Sequence, residues 1–194
     1  MATSSADNPL LTIPAIPFYF LRHGETDWNR DGQAQGHTNI SLNDSGRTQA
    51  RRAADAIGSL RVGTVVTSPL SRARETAEIA AETTGLKPLL ESRLMEQSFG
   101  PNEGKAWQLR WGRGQPPPGS ESLSHFEERV ISGLAAALSN RPSVIIVGHG
   151  GVFRIIGRVL CGIANARCPN GFLMRFDPVP GHGRRWTFCS LMGD

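Results

Sequence analysis

The sequence predicts an α/β fold, a sandwich of helices around a mostly parallel sheet of about six strands. Three observations predict it. Short apolar or β-branched runs alternate with segments of helical periodicity along the chain. Three of those runs end directly in polar, reactive residues: Arg22-His23-Gly24, Ser68-Pro69-Leu70-Ser71-Arg72 and Gly148-His149-Gly150-Gly151. Parallel strands deliver their carboxyl ends to one edge, where ligands gather. The 194 residues, 39% apolar and 20% charged, are enough to bury a hydrophobic core.

The elements follow in order. Residues 1–9 are rich in Ser, Ala, Asp and Asn, and residues 1–16 are expected to form a disordered or extended tail ahead of one domain over 17–194. The apolar stretch 10–21 is broken by Pro14 and Pro17, and no basic residue precedes Arg22, so a signal peptide is not expected. Residues 17–22 (PFYFLR) form the first strand. Residues 44–60 carry Ala50, Ala53, Ala54, Ile57 and Leu60 at helical spacing. Residues 62–67 (VGTVVT) are β-branched, as a buried strand would be.

A second helix covers 70–84, with Gly85 as its C′ residue, and 87–90 is a further strand candidate. Residues 97–119, with five Gly and four Pro, read as a loop that could cover a site. A third helix spans 121–139 with Ser120 as N-cap. Residues 143–148 (SVIIVG) are the strongest buried strand. A helix over 151–161 stops at Gly162, and strands at 171–176 and 185–190 complete the chain.

Composition excludes several classes. The net charge is +4, with 19 Arg against Lys87 and Lys105, but the basic residues are dispersed and no aromatics interleave with them. A nucleic-acid stripe is not indicated. No run approaches the ~18 apolar residues of a membrane span. Cys161, Cys168 and Cys189 match no metal or redox spacing and read as free thiols in a reducing cytoplasm.

Two His and two Arg therefore converge at one sheet edge. A guanidinium beside a metal cation is unfavourable, and no carboxylate–His ligand pattern accompanies the pair, which argues against a zinc hydrolase. A dianionic phosphate is the better partner. Arg22 and Arg72 can each donate paired hydrogen bonds to its oxygens, and His149 can donate another from a helix N-terminus. His23 can attack phosphorus through a ring nitrogen if its imidazole is neutral, which surrounding guanidinium charge favours; an acidic neighbour could fix its tautomer. The leaving alkoxide needs a proton and water later needs a base, and one buried carboxylic acid suits both tasks. Glu96 is the candidate, with Glu25 and Glu103 as competitors.

At these residues the chain resembles the histidine phosphatase superfamily, in its phosphoglycerate-mutase-like branch. The resemblance rests on Leu21-Arg22-His23-Gly24-Glu25-Thr26-Asp27-Trp28-Asn29, on Gln35-Gly36 and Ser41-Leu42-Asn43-Asp44-Ser45-Gly46, and on Thr67-Ser68-Pro69-Leu70-Ser71-Arg72-Ala73 with Thr76-Ala77. Leu94-Met95-Glu96, Phe99-Gly100 and Glu103-Gly104, and finally Val147-Gly148-His149-Gly150-Gly151, complete it over roughly residues 17–190. It implies a three-layer α/β/α sandwich, His23 as phosphorylated nucleophile and Glu96 as proton donor. Arg22, Arg72 and His149, with Asn29, Gln35 and the Gly150 backbone N–H, are implied as the phosphate pocket. No metal or other cofactor is implied. Asn39 stands where the family often has Asp, and Pro101-Asn102 replaces a usual aromatic position; both bear on the outer pocket.

The expected activity is a phosphatase acting on a small phosphate ester. A mutase of this superfamily resembles a larger chain, whereas Glu96 and His149 are only 53 positions apart here. The reading from another class is a silent phosphate-binding module, which the presence of all five core residues disfavours. The ester itself is not legible, nor is the oligomeric state, a homodimer included. Trp107 and Trp111 are expected to pack the 97–119 segment onto the core; the alternative is that Arg110 or Arg113 there meets a second anionic group of the substrate, which the sequence does not decide. Arg154 is read as orienting the site or pairing with an acidic neighbour, the second being favoured, and His37, His125 and His182 are expected on the surface or in local hydrogen bonds.

Overall fold

A computed structural model describes residues 13–109, 117–181 and 185–192. One sheet holds β1 (Phe18–Arg22), β2 (Thr64–Thr67), β3 (Leu89–Leu90), β4 (Val144–Gly148), β5 (Leu173–Pro178) and β6 (Trp186–Ser190). Their spatial order is β3-β2-β4-β1-β5-β6. The first four run parallel, while β5 is antiparallel to both β1 and β6. The expected six-stranded, mostly parallel sheet is thus observed, with an antiparallel hairpin at one edge.

The described residues hold five α-helices, α1 (Asp27–Arg30), α2 (Asp44–Gly58), α3 (Ser71–Ala81), α4 (Leu123–Leu138) and α5 (Gly150–Cys161), of which α2 to α5 cover the sheet. Side chains alternate across the sheet. Tyr19, Leu21, Ile145 and Val147 meet Ala53, Ile57, Ala77 and Ala80 of α2 and α3 on one face. Phe18, Phe20, Val144 and Ile146 meet Phe126, Leu134, Phe153 and Ile156 of α4 and α5 on the other. Coverage of both faces explains why β2 and β4 are continuous buried runs. The handedness rule explains the division. The chain steps outward from β1 to β2 to β3 and then reverses to insert β4, so right-handed crossovers put α2 and α3 on one face and α4 on the opposite one.

Differences from the sequence reading are local. Ser122, not Ser120, caps α4 by accepting the His125 N–H, while the Ser120 hydroxyl donates to the Phe99 carbonyl. The segment 87–90 contributes only two paired residues, exposed at the sheet edge. The four-residue α1 has no counterpart in the sequence reading; its capping box between Thr26 and Asn29 lies inside the segment read as a catalytic motif. Gly162 ends α5 at φ +73°, as expected. Residues 1–12 of the expected tail lie outside the described residues, and Ile13 and Ile16 pack against the core. Among the described residues no helix is long and apolar enough to cross a membrane.

Candidate active site

The parallel pairing aligns the three reactive strand ends. Arg22 stands opposite Gly148 across β1 and β4, the His23 N–H donates to the Gly148 carbonyl at 2.9 Å, and the Ser68 N–H donates to the Val147 carbonyl at 3.1 Å. Above this edge opens a cavity of about 560 Å³ whose wall includes Arg22, His23, Asn29, Gln35, Arg72, Glu96 and Gly150. Six of the seven residues singled out in the sequence therefore share one cavity with the candidate acid. His149 is not part of the wall. It lies fully buried with its ring centroid 5.2 Å from that of His23 and its Nε2 2.8 Å from the Ser68 hydroxyl.

The two guanidinium groups are held by carbonyl oxygens. Arg22 donates to the Cys168 carbonyl at 2.8 Å, and Arg72, 1% exposed, donates to the Gly36 and Thr38 carbonyls at 2.8 and 3.0 Å. Burial lowers the proton affinity of both, Arg72 to about 10 with the Glu96 and Glu103 charges opposing, so Arg72 remains cationic at neutral pH. Four buried side-chain atoms among the described residues have no hydrogen-bond partner: Arg22 Nε, Arg72 Nε, Gln35 Oε1 and His149 Nδ1. Buried polar atoms are rarely left so, and all four belong to residues of this site.

His23 Nδ1 lies 2.7 Å from the Gly24 carbonyl, which can only accept, so Nδ1 carries the proton and Nε2 the lone pair. A backbone carbonyl thus does the work expected of an acidic side chain. Burial, then the charges of Arg72 and Arg22, hold the His23 imidazole well below its usual range, and burial and Arg72 do the same for His149. Thr76 supports the turn by accepting the Gly24 N–H and donating to the Arg72 carbonyl. Asn29 accepts from the Thr26 N–H and from Asn170 through Oδ1, which leaves its Nδ2 as the donor for a ligand.

Glu96 is placed by backbone. Its Oε2 accepts the Gly151 N–H and its Oε1 the Gln97 N–H, each at 2.9 Å. A Cβ on Gly151 would come within 2.0 Å of Oε1, so only glycine lets the carboxylate reach the start of α5. Its carbonyl is clasped by the Arg129 guanidinium at 2.9 Å and by His37 Nε2 at 2.8 Å. The competitors are otherwise engaged. Glu103 accepts from the N–H groups of His37, Thr38 and Phe99; burial opposes its ionisation, but these bonds hold it below the usual carboxylate range. Glu25 accepts from Asn43 and is not part of the cavity wall.

Other expectations are sorted by the same geometry. Trp107 lines the cavity and packs edge-on against Phe99 at 5.6 Å. Arg110, Trp111, Arg113 and His182 lie outside the described residues. Asn39 accepts the Ser71 N–H and so caps α3 from a distant loop. Arg154 forms no ion pair among the described residues and instead lines the cavity, a correction to the pairing expected for it. Arg129 and His37 are the residues the sequence reading missed. Their role depends on contacts made 33 and 59 positions away, for which periodicity carries no signal. The cysteines are free thiols, and burial pushes Cys168 up to about 12.

Known proteins place this arrangement. The profile of the histidine phosphatase superfamily (branch 1) matches residues 18–174, and the chain belongs to that family of enzymes. Among its relatives is the uncharacterized phosphatase PhoE of Bacillus subtilis, 37% identical over 67% of this chain and 69% of that protein. The probable phosphoglycerate mutase GpmB of Klebsiella pneumoniae is 32% identical over 70% of each chain. The crystal structure of TTHB049 from Thermus thermophilus superimposes with a TM-score of 0.73 at 35% identity, over 91% of this chain and 99% of that one.

Proposed function

We propose that the protein is a phosphomonoester hydrolase acting on a small phosphorylated metabolite of the cytoplasm through a phosphohistidine on His23. The observation that carries this reading is the buried His23 imidazole at the wall of an open cavity, its Nδ1 tied to a carbonyl and its proton affinity lowered by burial and by the Arg72 and Arg22 charges. A cavity of about 560 Å³ suits a metabolite. Arg22, Arg72, Asn29, Gln35, His149 and the Gly150 N–H hold the phosphate, and His23 Nε2 attacks phosphorus in line. The P–O bond to the leaving group breaks as Glu96 gives that oxygen a proton. Glu96 then takes a proton from water, which attacks the phosphohistidine and frees phosphate and His23.

The guanidinium pair supplies the charge neutralisation, so hydrolysis of p-nitrophenyl phosphate and of a panel of phosphate esters is expected to persist in EDTA. Loss of all turnover in EDTA with recovery on metal addition would overturn this. The relative named as a probable phosphoglycerate mutase supports the second reading. The 53 positions between Glu96 and His149 leave little chain to enclose a product for return of the phosphoryl group. Interconversion of 2- and 3-phosphoglycerate faster than phosphate release would establish the mutase instead.

The acid limb of the pH profile follows from His23. The attacking form is neutral, and it persists down to the folded-state value, which burial and the two Arg hold well below 6.5. An ordinary imidazole would be about 90% protonated at pH 5.5 and would slow the reaction roughly 10-fold. After allowance for the substrate's own ionisation near pH ~6, kcat/KM should instead stay near its plateau at pH 5.5. A limb centred at 6.5 or above would contradict the neutral, desolvated nucleophile.

A further inference from the structure

We propose that Arg154 and Arg167 form a second anion-binding subsite in the same cavity, which selects phosphomonoesters bearing an additional carboxylate or phosphate. The inference rests on the phosphatase reading for its first anion, but not for its own charge argument.

The cavity wall carries four guanidinium groups, on Arg22, Arg72, Arg154 and Arg167, against one carboxylate, Glu96. Arg22 and Arg72 are tied to carbonyl oxygens at the strand ends and match one phosphate dianion. Arg154 and Arg167 are surplus to that match. Among the described residues neither side chain makes a hydrogen bond or an ion pair, whereas Arg158, one turn further along α5, is paired with Glu127. Cations left without a partner on the wall of a cavity are free to meet the anion of a ligand.

Placement sets the geometry. Gly150 and Gly151 open α5 at the phosphate site, and Arg154 follows on the same face, about 6 Å along the axis from Gly150. It is close enough that its charge lowers the proton affinity of Arg22. Arg167 stands on the loop after α5, whose Ala166, Cys168 and Pro169 line the same wall. That loop is anchored twice. The Cys168 carbonyl accepts from Arg22, and Ala166 packs so closely on Gly157 that a Cβ there would lie 2.5 Å from its own. The loop that carries Arg167 is therefore the one that holds the Arg22 guanidinium. The expected place for this contact, Arg110 or Arg113, lies outside the described residues, and the subsite does not depend on it.

The test compares matched esters on the wild type and on Arg154→Met, Arg167→Met and the double variant. 3-Phosphoglycerate against glycerol 3-phosphate reads a carboxylate, and fructose 1,6-bisphosphate against fructose 6-phosphate reads a second phosphate. The wild type should favour the more anionic member of at least one pair by roughly 10-fold or more in kcat/KM, and less at high salt. In the double variant that ratio should fall toward one, and Arg154→Lys should retain part of it. A wild-type ratio near one in both pairs, or a ratio unchanged in the double variant, would overturn the subsite. If no ester is hydrolysed at all, the phosphatase reading fails separately. Calorimetric binding of the same pairs then decides the subsite by the same ratios.

Discussion

Replacing His23 by alanine is expected to lower turnover of every ester by about 10⁴-fold or more, because the variant lacks the atom proposed to receive the phosphoryl group. Rapid acid-free quenching of the wild type with a radiolabelled ester should trap a phosphoenzyme stable to alkali and labile to acid, as a phosphoramidate bond requires. The variant should trap none. The fold should survive the change. His23 is 3% exposed and makes one side-chain hydrogen bond, to the Gly24 carbonyl. Its loss opens a small cavity at the sheet edge and costs about 1–2 kcal/mol. Circular dichroism and a urea transition would verify that the activity loss is chemical. Residual activity above about 1%, or an unchanged phosphoenzyme yield, would remove His23 from the role given it.

Replacing Arg129 by alanine is expected to damage stability and catalysis together. Its guanidinium donates to the Glu121 carboxylate through Nε and Nη2 at 2.5 and 2.7 Å, and to the carbonyls of Arg93, Met95 and Glu96 at 2.9, 2.7 and 2.9 Å. The pair is largely buried, the side chains being 14% and 8% exposed. Truncation takes the guanidinium from the Glu121 carboxylate, which keeps only the Ser98 N–H and His125, and takes this donor from the Arg93 and Met95 carbonyls, a loss of about 3 kcal/mol, which for a chain of this size lowers Tm by roughly 6–12 °C. It also frees the backbone that aims Glu96. A displacement of about 1 Å can cost 10²-fold in kcat, felt most by poor leaving groups, which need the proton most. Arg129→Lys keeps the charge but not the planar fork, and should recover part of the stability and little of the rate. Wild-type Tm and unchanged leaving-group dependence in Arg129→Ala would refute the clasp.

These two residues are not equally visible in the chain. His23 follows a buried strand, and a reactive side chain after a parallel strand falls at the sheet edge whatever the rest of the protein does. The same logic locates Arg22, His149 and, through a short helical turn, Arg72. It also explains why Arg22, His23 and Arg72 meet Asn29, Gln35 and Gly150 on one cavity wall, with His149 buried beside His23. Arg129 sits in the middle of a helix that periodicity does predict, and looks like any solvated basic residue there. Ser120 and Ser122 are equally good caps by composition, and packing of Ser120 onto Phe99 decides between them. The short α1 is hidden because its capping residues, Thr26 and Asn29, fall inside the segment read as a catalytic motif.

The sequence by itself determined the layered α/β architecture, the strand ends that meet at one sheet edge and most of the residues that line the cavity there. These depend on local periodicity and on the geometry of parallel strands, both of which are written residue by residue. The tertiary structure alone decided how Glu96 is aimed, which group fixes the His23 tautomer, and that Arg154 faces the cavity and not an acidic partner. Those outcomes depend on close approach between segments far apart in the chain: Gly151 to Glu96, Arg129 to the carbonyls of 93–96, and the 166–169 loop to α5. Such approaches are set by how whole elements pack, and no short stretch of sequence encodes them.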